Sequence, residues 1–384
     1  MSGTKFTGPW EVERLTETPN FRIERTEERE TFDTFHVYYE SVPYRGKPTR
    51  VFAHYALPNK DRRPLPAIVL VHGGAGRAFP EWTEQWAARG YAAFAMDLFG
   101  NGPDGERLED GGPDQTDKSL FLDISSDSST NMWLYHAVAA VIRGVSIVAE
   151  QPEVEAGSIG LMGISWGGYT VQIVRGLDDR IAYAMAVYAS GFLAESSSWQ
   201  SQLFQLSESR RRLWHESFDS SRYIQQSTKP IFLATGANDP CFYLNSWQRT
   251  ARLAGGHAML RVAKEWEHNY QVPWGTKEFF VYADSQTKEG SALPQILDVR
   301  SEEGEARVRL RYRCAYPIRH ANLVYSVEES AGDPDRKWLS AEVQVAAHGD
   351  AETIECAIPA DAKAFFLTLE NVKGHMTSTN VMDR

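Results

Sequence analysis

IGLMGISWGGY, residues 159 to 169, decides how this chain reads. An apolar run of strand length leads into a glycine-rich segment, and Gly163-Ile164-Ser165-Trp166-Gly167 fits G-x-S-x-G directly after the strand and directly before a helix expected over Gly168–Gly176. A serine on such a turn needs tight, strained backbone angles. Small residues two positions to either side let the chain approach itself while the hydroxyl is lifted above the sheet edge. The helix behind it adds a partial positive charge near the oxygen. Ser165 is therefore the candidate nucleophile.

Outward from this point the chain alternates strand and helix. Upstream, a hairpin is expected from about Glu30 to Leu57, turning at Tyr44-Arg45-Gly46 and beginning the sheet. A buried strand (Ala67–Val71), a glycine turn (Gly73–Gly76), a helix (about Pro80–Arg89) and another buried strand (Tyr91–Met96) follow. A long polar excursion runs from Asp97 to about Thr130, and a helix spans about Met132–Glu150. Downstream come strands at Tyr183–Val187, Pro230–Thr235 and Ala258–Ala263, with helices near Tyr243–Leu253 and over Pro273–Ala283. Strands apolar throughout imply a mostly parallel sheet covered by helices on both faces, an α/β class. Residues 190–227, rich in serine, arginine and bulky aromatics, break the alternation and read as a cap insertion. Beyond about Asp284 only short alternating strand signals remain, at roughly ten-residue intervals. The organisation expected is a catalytic domain over 1–288 and an immunoglobulin- or fibronectin-like β-sandwich over 289–384.

A serine hydroxyl is a poor nucleophile until a base takes its proton, so a histidine held by a carboxylate must lie downstream. The order serine, acid, histidine places the acid after a later strand, where PIFLATGANDP supplies Asp239. The histidine should follow the next strand, and MLRVAKEWEHNY places His268 there, whereas His257 precedes that strand and reads as a surface turn residue. Donors for a developing oxyanion are expected from the Trp166 amide and from Gly74 or Ala75 in VHGGAG, residues 71–76, with His72 structural. Of eleven tryptophans, Trp166, Trp199, Trp214, Trp266 and Trp274 fall near the proposed site or the insertion. Trp166, Trp199 and Trp214 are the candidate substrate-binding rings, weighed against the plainer role of packing helices onto the sheet.

VHGGAG, GISWGGY, GANDP and the His268 loop, in that order, resemble the α/β-hydrolase superfamily, and more narrowly its dienelactone hydrolase and acetyl xylan esterase-like branch. The resemblance extends over roughly Phe32 to Ala283 and includes the DGGPDQ and WLYHAVAAVIRG segments. It implies a carboxylic ester hydrolase that works without a cofactor through an acyl-enzyme, on short-chain esters such as acetylated carbohydrates. Two departures narrow it: residue 165 is serine where dienelactone hydrolases carry cysteine, and the GGSQGG-type elbow of cephalosporin C deacetylases is absent. Alternatives remain in a prolyl-oligopeptidase-like peptidase, and in a binding protein with a vestigial triad. A dehalogenase, which needs a carboxylate at position 165, is excluded.

Forty basic against fifty-one acidic residues give a net charge of −11, which repels phosphate backbones and anionic lipid, so neither nucleic acid nor membrane is an expected partner. A small-molecule or carbohydrate ester is the expected partner, and a homo-oligomer stays open. Gly100, Gly102 and Gly105 match G-x-G-x-x-G, but Pro103 and an acidic run follow where a dinucleotide site needs a helix. Asp110, Asp114, Asp117 and Asp123 miss the EF-hand spacing, and the three cysteines fit no zinc pattern, so no metal is expected. Cys314 and Cys356 both fall on expected strands of the β-sandwich and could face each other, where two buried free thiols are favoured over a disulfide. The N-terminus shows no signal-peptide pattern, which places the protein in the cytoplasm if the chain is full length, and in the periplasm or outside the cell if a leader has been removed.

Overall fold

A computed structural model describes residues 5–59, 64–287, 292–301, 306–329, 334–345 and 352–384. These divide into two compact units, Met1–Glu195 with Trp199–Lys229, and Ser196–Ser198 with Pro230–Arg384. The 288/289 boundary expected from the sequence falls within 288–291, outside the described residues.

In the first unit a short helix α1 (Val12–Leu15) precedes three antiparallel strands, β1 (Phe21–Glu28), β2 (Phe32–Glu40) and β3 (Arg50–Pro58). The β2–β3 hairpin is the one expected, with Arg45 at φ 51° and Gly46 at φ 76° in its turn. It does not begin the sheet: β1 pairs outside β2. That strand, FRIERTEE, is exposed along nearly its whole length, so it carries no alternation of apolar and polar residues to betray it.

The remaining strands of this unit are β4 (Leu65–Val71), β5 (Ala92–Met96), β6 (Val154–Ile164) and β7 (Ile181–Val187), in the order β1-β2-β3-β5-β4-β6-β7. The pairs β4–β5, β4–β6 and β6–β7 are parallel. The crossovers are α2 (Pro80–Ala88), α3 (Trp133–Ala149) and α4 (Trp166–Leu177). Every residue of β5 and of α4 is buried, and α3 is apolar around most of its circumference, as a helix enclosed within a core must be. The 190–227 insertion forms α5 (Gln200–Phe204), α6 (Glu208–Phe218) and α7 (Ser221–Ile224). The 97–130 excursion carries a π-turn at Lys118–Leu122, and the insertion packs on it: Trp214 Nε1 donates to the Leu120 carbonyl at 2.7 Å and Arg210 Nε to the Ile124 carbonyl at 2.8 Å.

Two histidines in this unit, His136 buried and His54 half-buried, are expected to make its stability acid-sensitive. Burial pushes the pKa values of His54 and His136 down to about 4. Both stay neutral in the fold while the unfolded chain takes up protons, so between about pH 6.5 and pH 4 the unfolded state binds more protons and stability falls as pH drops. Each histidine contributes at most roughly 3 kcal/mol. The buried Asp97 carboxyl, whose pKa burial raises, works in the opposite direction. The urea midpoint is expected to fall between about pH 7 and about pH 4.5, and His136→Gln to flatten that fall. A wild-type midpoint independent of pH over this range would refute the assignment.

In the second unit β8 (Ile231–Gly236) and β9 (Ala258–Ala263) pair in parallel across α8 (Leu244–Ala254). The helix expected over Pro273–Ala283 is instead two, α9 (Gln271–Gly275) and α10 (Lys277–Thr287), broken at Thr276, whose backbone is extended and whose hydroxyl donates to the Val272 carbonyl at 2.7 Å. Gly275 just before the break weakens helix continuation. Two antiparallel sheets follow. One is β10 (Gln295–Arg300), β11 (Arg307–Arg313) and β14 (Glu352–Ala357); the other is built on β12 (Ile318–Ser326), β13 (Leu339–Glu342), β15 (Ala364–Asn371), β16 (Met376–Ser378) and β17 (Met382–Asp383). Strict alternation in β11 turns Val308, Leu310 and Tyr312 into a core shared with Leu323, Phe365, Leu367 and Leu369 of the other sheet. The arginines between them point outward, where Arg307 and Arg309 meet Glu355 at 2.6 and 2.8 Å. Cys314 and Cys356 are free thiols.

Candidate active site

Ser165 stands in the first unit, Asp239 and His268 in the second. Ser165 sits where β6 ends and α4 begins, at φ 59° and ψ −126°, a conformation that costs a non-glycine residue on the order of 1–3 kcal/mol. Its amide donates to the Val187 carbonyl at 2.8 Å, and its own carbonyl accepts the Tyr169 amide at 2.9 Å, so the strain is held from both sides. The turn closes only because its glycines lack side chains: a Cβ on Gly163 would strike the Gly167 carbonyl, and one on Gly167 the Val71 carbonyl.

The first glycine loop lies directly against this turn. A Cβ added to Gly73 would come within 2.8 Å of Ser165 Cβ and 3.1 Å of the Trp166 amide nitrogen. The loop is a tight turn, with the Gly76 amide donating to the Gly73 carbonyl at 3.2 Å and Ala75 at φ 53°. The candidate oxyanion residues Gly74, Ala75 and Trp166 thus belong to two adjacent backbone turns beside Ser165. His72 braces them. Its Nε2 accepts the Leu98 amide at 2.8 Å, which leaves the proton on Nδ1, 2.8 Å from the Gly73 carbonyl. Both ring nitrogens are used, and burial lowers its pKa, so His72 is a neutral structural group.

In the second unit, the turn after β8 holds Asp239 fully buried. One carboxylate oxygen, Oδ1, accepts the amides of Cys241 (2.9 Å) and Phe242 (2.8 Å), while Oδ2 faces His268 Nδ1 at 2.8 Å. The Phe242 ring lies nearly parallel to the imidazole, 13° between planes with centroids 6.3 Å apart. Gly236 at the end of β8 admits the incoming loop, since any Cβ there would strike the Trp266 carbonyl. The acid and histidine expected from the sequence therefore form a pair. His257 is exposed on a 3-10 turn before β9.

The aromatic candidates separate. Trp166 is nearly buried and Trp199 half-buried, with ring centroids 4.7 Å apart, and Phe121 and Tyr169 also flank Trp166 at 6.0 and 5.2 Å. Trp214 is 0% exposed, so it packs the insertion and offers no face to a ligand. Trp266 carries the Arg261 guanidinium over its ring at 4.3 Å, and Trp274 packs on Tyr270. The Gly100–Gly105 run folds into a local hairpin, Asn101 bridging Arg107, and does not lead into a helix.

Three neighbours escaped the sequence reading. Phe121 and Gln115 come from the 97–130 excursion; the Gln115 side-chain nitrogen is buried with no hydrogen-bond partner among the described residues, and its Oε1 lies 3.2 Å from where a Gly74 Cβ would stand. Cys241 is the third. Its thiol is half-buried and hydrogen-bonded to Ser198, and burial together with the Asp239 charge pushes its pKa up to about 11. Asp239, Cys241 and His268 each place one potential ligand atom within 4.8 Å of the other two. Spacing could have flagged the thiol, since it follows the acid by two residues.

A serine held at positive φ between a buried parallel strand and a helix, under a glycine-rich turn from an earlier strand, defines the α/β-hydrolases, and that is the class of this fold. The chain belongs to the acetyl xylan esterase family of carboxylic ester hydrolases, described as "Acetyl xylan esterase (AXE1)", whose profile matches residues 5–200. No curated protein matches the sequence. Among solved structures, the acetyl xylan esterase from Paenibacillus sp. R4 superposes with TM-score 0.56 at 17% identity, covering 71% of this chain and 92% of that one. Acetyl xylan esterase 1 from Thermoanaerobacterium sp. JW/SL YS485 gives 0.54 at 17% identity, covering 71% and 93%. The acylaminoacyl peptidase of Pyrococcus horikoshii gives 0.50 at 15% identity, covering 72% of this chain and 44% of that one. At these identities the likeness is one of fold. No helix among the described residues is long and apolar enough to cross a membrane.

Proposed function

We propose that the protein deacylates short-chain esters of carbohydrates, acetyl esters first, with Ser165 as nucleophile, His268 as base and Asp239 as its orienting acid. The strained Ser165 turn, pressed against the Gly73–Gly76 loop, is the observation that carries this reading. Ser165 Oγ attacks the ester carbonyl while His268 takes its proton, forming a tetrahedral intermediate whose oxygen is met by the Trp166 amide and by that of Gly74 or Ala75. The C–O bond then breaks, the alcohol leaves with the proton from His268, and water repeats the cycle to release the acid and restore the serine. No cofactor enters any step.

The short-acyl preference rests on what surrounds Ser165 in its own unit. Trp166 follows the nucleophile directly in the chain, and its buried ring is packed by the half-buried Trp199 and the fully buried Phe121, with centroids 4.7 and 6.0 Å away. Each added methylene gains about 0.8 kcal/mol only where there is room for it, and overpacking reverses the gain. Acetate and propionate p-nitrophenyl esters are therefore expected to show higher kcat/KM than octanoate. Acetylated xylan should be deacetylated, and a peptide p-nitroanilide left intact. A maximum at octanoate would sink the short-acyl assignment, and preferred cleavage of the anilide would replace it with a peptidase.

A further inference from the structure

We propose that Asp239, Cys241 and His268 form an inhibitory site for one soft divalent cation of the Cd2+ or Zn2+ kind, built onto the acid–histidine pair itself. The donor set is a carboxylate, a thiol and an imidazole, with a ligand atom from each inside a 4.8 Å span. Tetrahedral coordination of a zinc-sized ion spaces its ligands about 3.3–3.8 Å apart, so the 2.8 Å Asp239–His268 hydrogen bond must open slightly and separations towards the 4.8 Å limit must close by about 1 Å, within reach of side-chain rotations. Sulfur sets the selectivity. Thiolate and imidazole favour Cd2+ and Zn2+, while Mg2+ and Ca2+ prefer six or more oxygens. The backbone is already organised for it, because the Cys241 and Phe242 amides fix Asp239 Oδ1 and Ser198 holds the thiol. Both Cys241 and His268 retain exposed surface through which an ion can enter.

Binding would silence the base by a definite route. The thiol gives its proton to solvent and a metal–sulfur bond forms, while the metal takes the Nδ1 lone pair and an Asp239 oxygen. A neutral imidazole bound through Nδ1 carries its single proton on Nε2, so that nitrogen can no longer accept one. The inhibition rests on the proposed role of His268 as base; the binding does not.

Cd2+ is the probe, read by its thiolate charge-transfer absorption in the ultraviolet and, separately, by turnover of p-nitrophenyl acetate. One equivalent should raise the band and abolish turnover in parallel, with both reversed by a chelator. Ser165→Ala should give the same band, and Cys241→Ala and Cys241→Ser should lose it, with the inhibitory concentration raised at least about tenfold relative to each variant's own uninhibited rate. A band that survives in both Cys241 variants would mean that Cys314 or Cys356 binds the ion, and would overturn the proposal. A band without loss of turnover would overturn the inhibitory role. A band in a protein that hydrolyses no ester would leave the metal site standing and remove the esterase reading.

Discussion

Ser165→Ala is expected to lower kcat for p-nitrophenyl acetate by about five orders of magnitude while leaving the thermal midpoint near the wild-type value. Without the hydroxyl there is no acyl-enzyme, and only the oxyanion donors and substrate binding remain to assist water. The fold should tolerate the change because the turn is held by backbone contacts, from the Ser165 amide to Val187 and from Tyr169 to the Ser165 carbonyl, which alanine keeps. Alanine bears the same cost at φ 59° as serine does. Steady-state kinetics on purified protein, with circular dichroism as the control, decide the matter. A variant retaining a tenth of wild-type turnover would remove Ser165 from the chemistry.

The second large effect is expected from Asp239→Asn, at about three to four orders of magnitude in kcat with KM little changed. The reason lies in how the carboxylate is held. Oδ1 is pinned by two backbone donors, the Cys241 and Phe242 amides, so an asparagine must place its oxygen there and its NH2 group where Oδ2 now faces His268. An NH2 at that position donates to Nδ1 instead of accepting from it, which forces the ring proton onto Nε2 and leaves no lone pair for the serine proton. Asp239→Ala distinguishes this from simple loss of a partner, since it removes the misdirecting donor while leaving two amides unpaired. It should be the less stable variant and no less active than Asp239→Asn. A loss below about tenfold in the asparagine variant would show that the pair does not orient the base.

The parts of this protein that could be read from sequence are those where burial leaves a one-dimensional trace. Strands covered on both faces, such as AIVLV and AAFAM, must be apolar at every position, and the Ser165 turn must have glycines where carbonyls crowd it. The Asp239–His268 pair followed because each residue comes after a recognisable strand. β1 left no such trace, being solvated on both faces, and neither did the split at Thr276, which a side-chain-to-backbone hydrogen bond accompanies. Trp214 shows a different limit: a tryptophan in a polar insertion has the same letter whether it presents a face or fills a core, and only its donation to the Leu120 carbonyl and its complete burial tell the two apart.

The outermost strand has a consequence for how copies of this protein behave together. A sheet ending on an apolar flank invites another sheet to add to it, and a chain with so much β-structure would be prone to open-ended association. β1 ends this sheet with FRIERTEE, eight residues of which five are charged, their side chains engaged locally in Arg22–Glu24 and Arg25–Glu28 ion pairs and laid over Tyr38 and Phe35 of the neighbouring strand. Adding a second copy there would strip water from charges of both signs along the sheet edge. The strand that contributes least to the core thus places the charges that blunt this edge against edge-to-edge pairing.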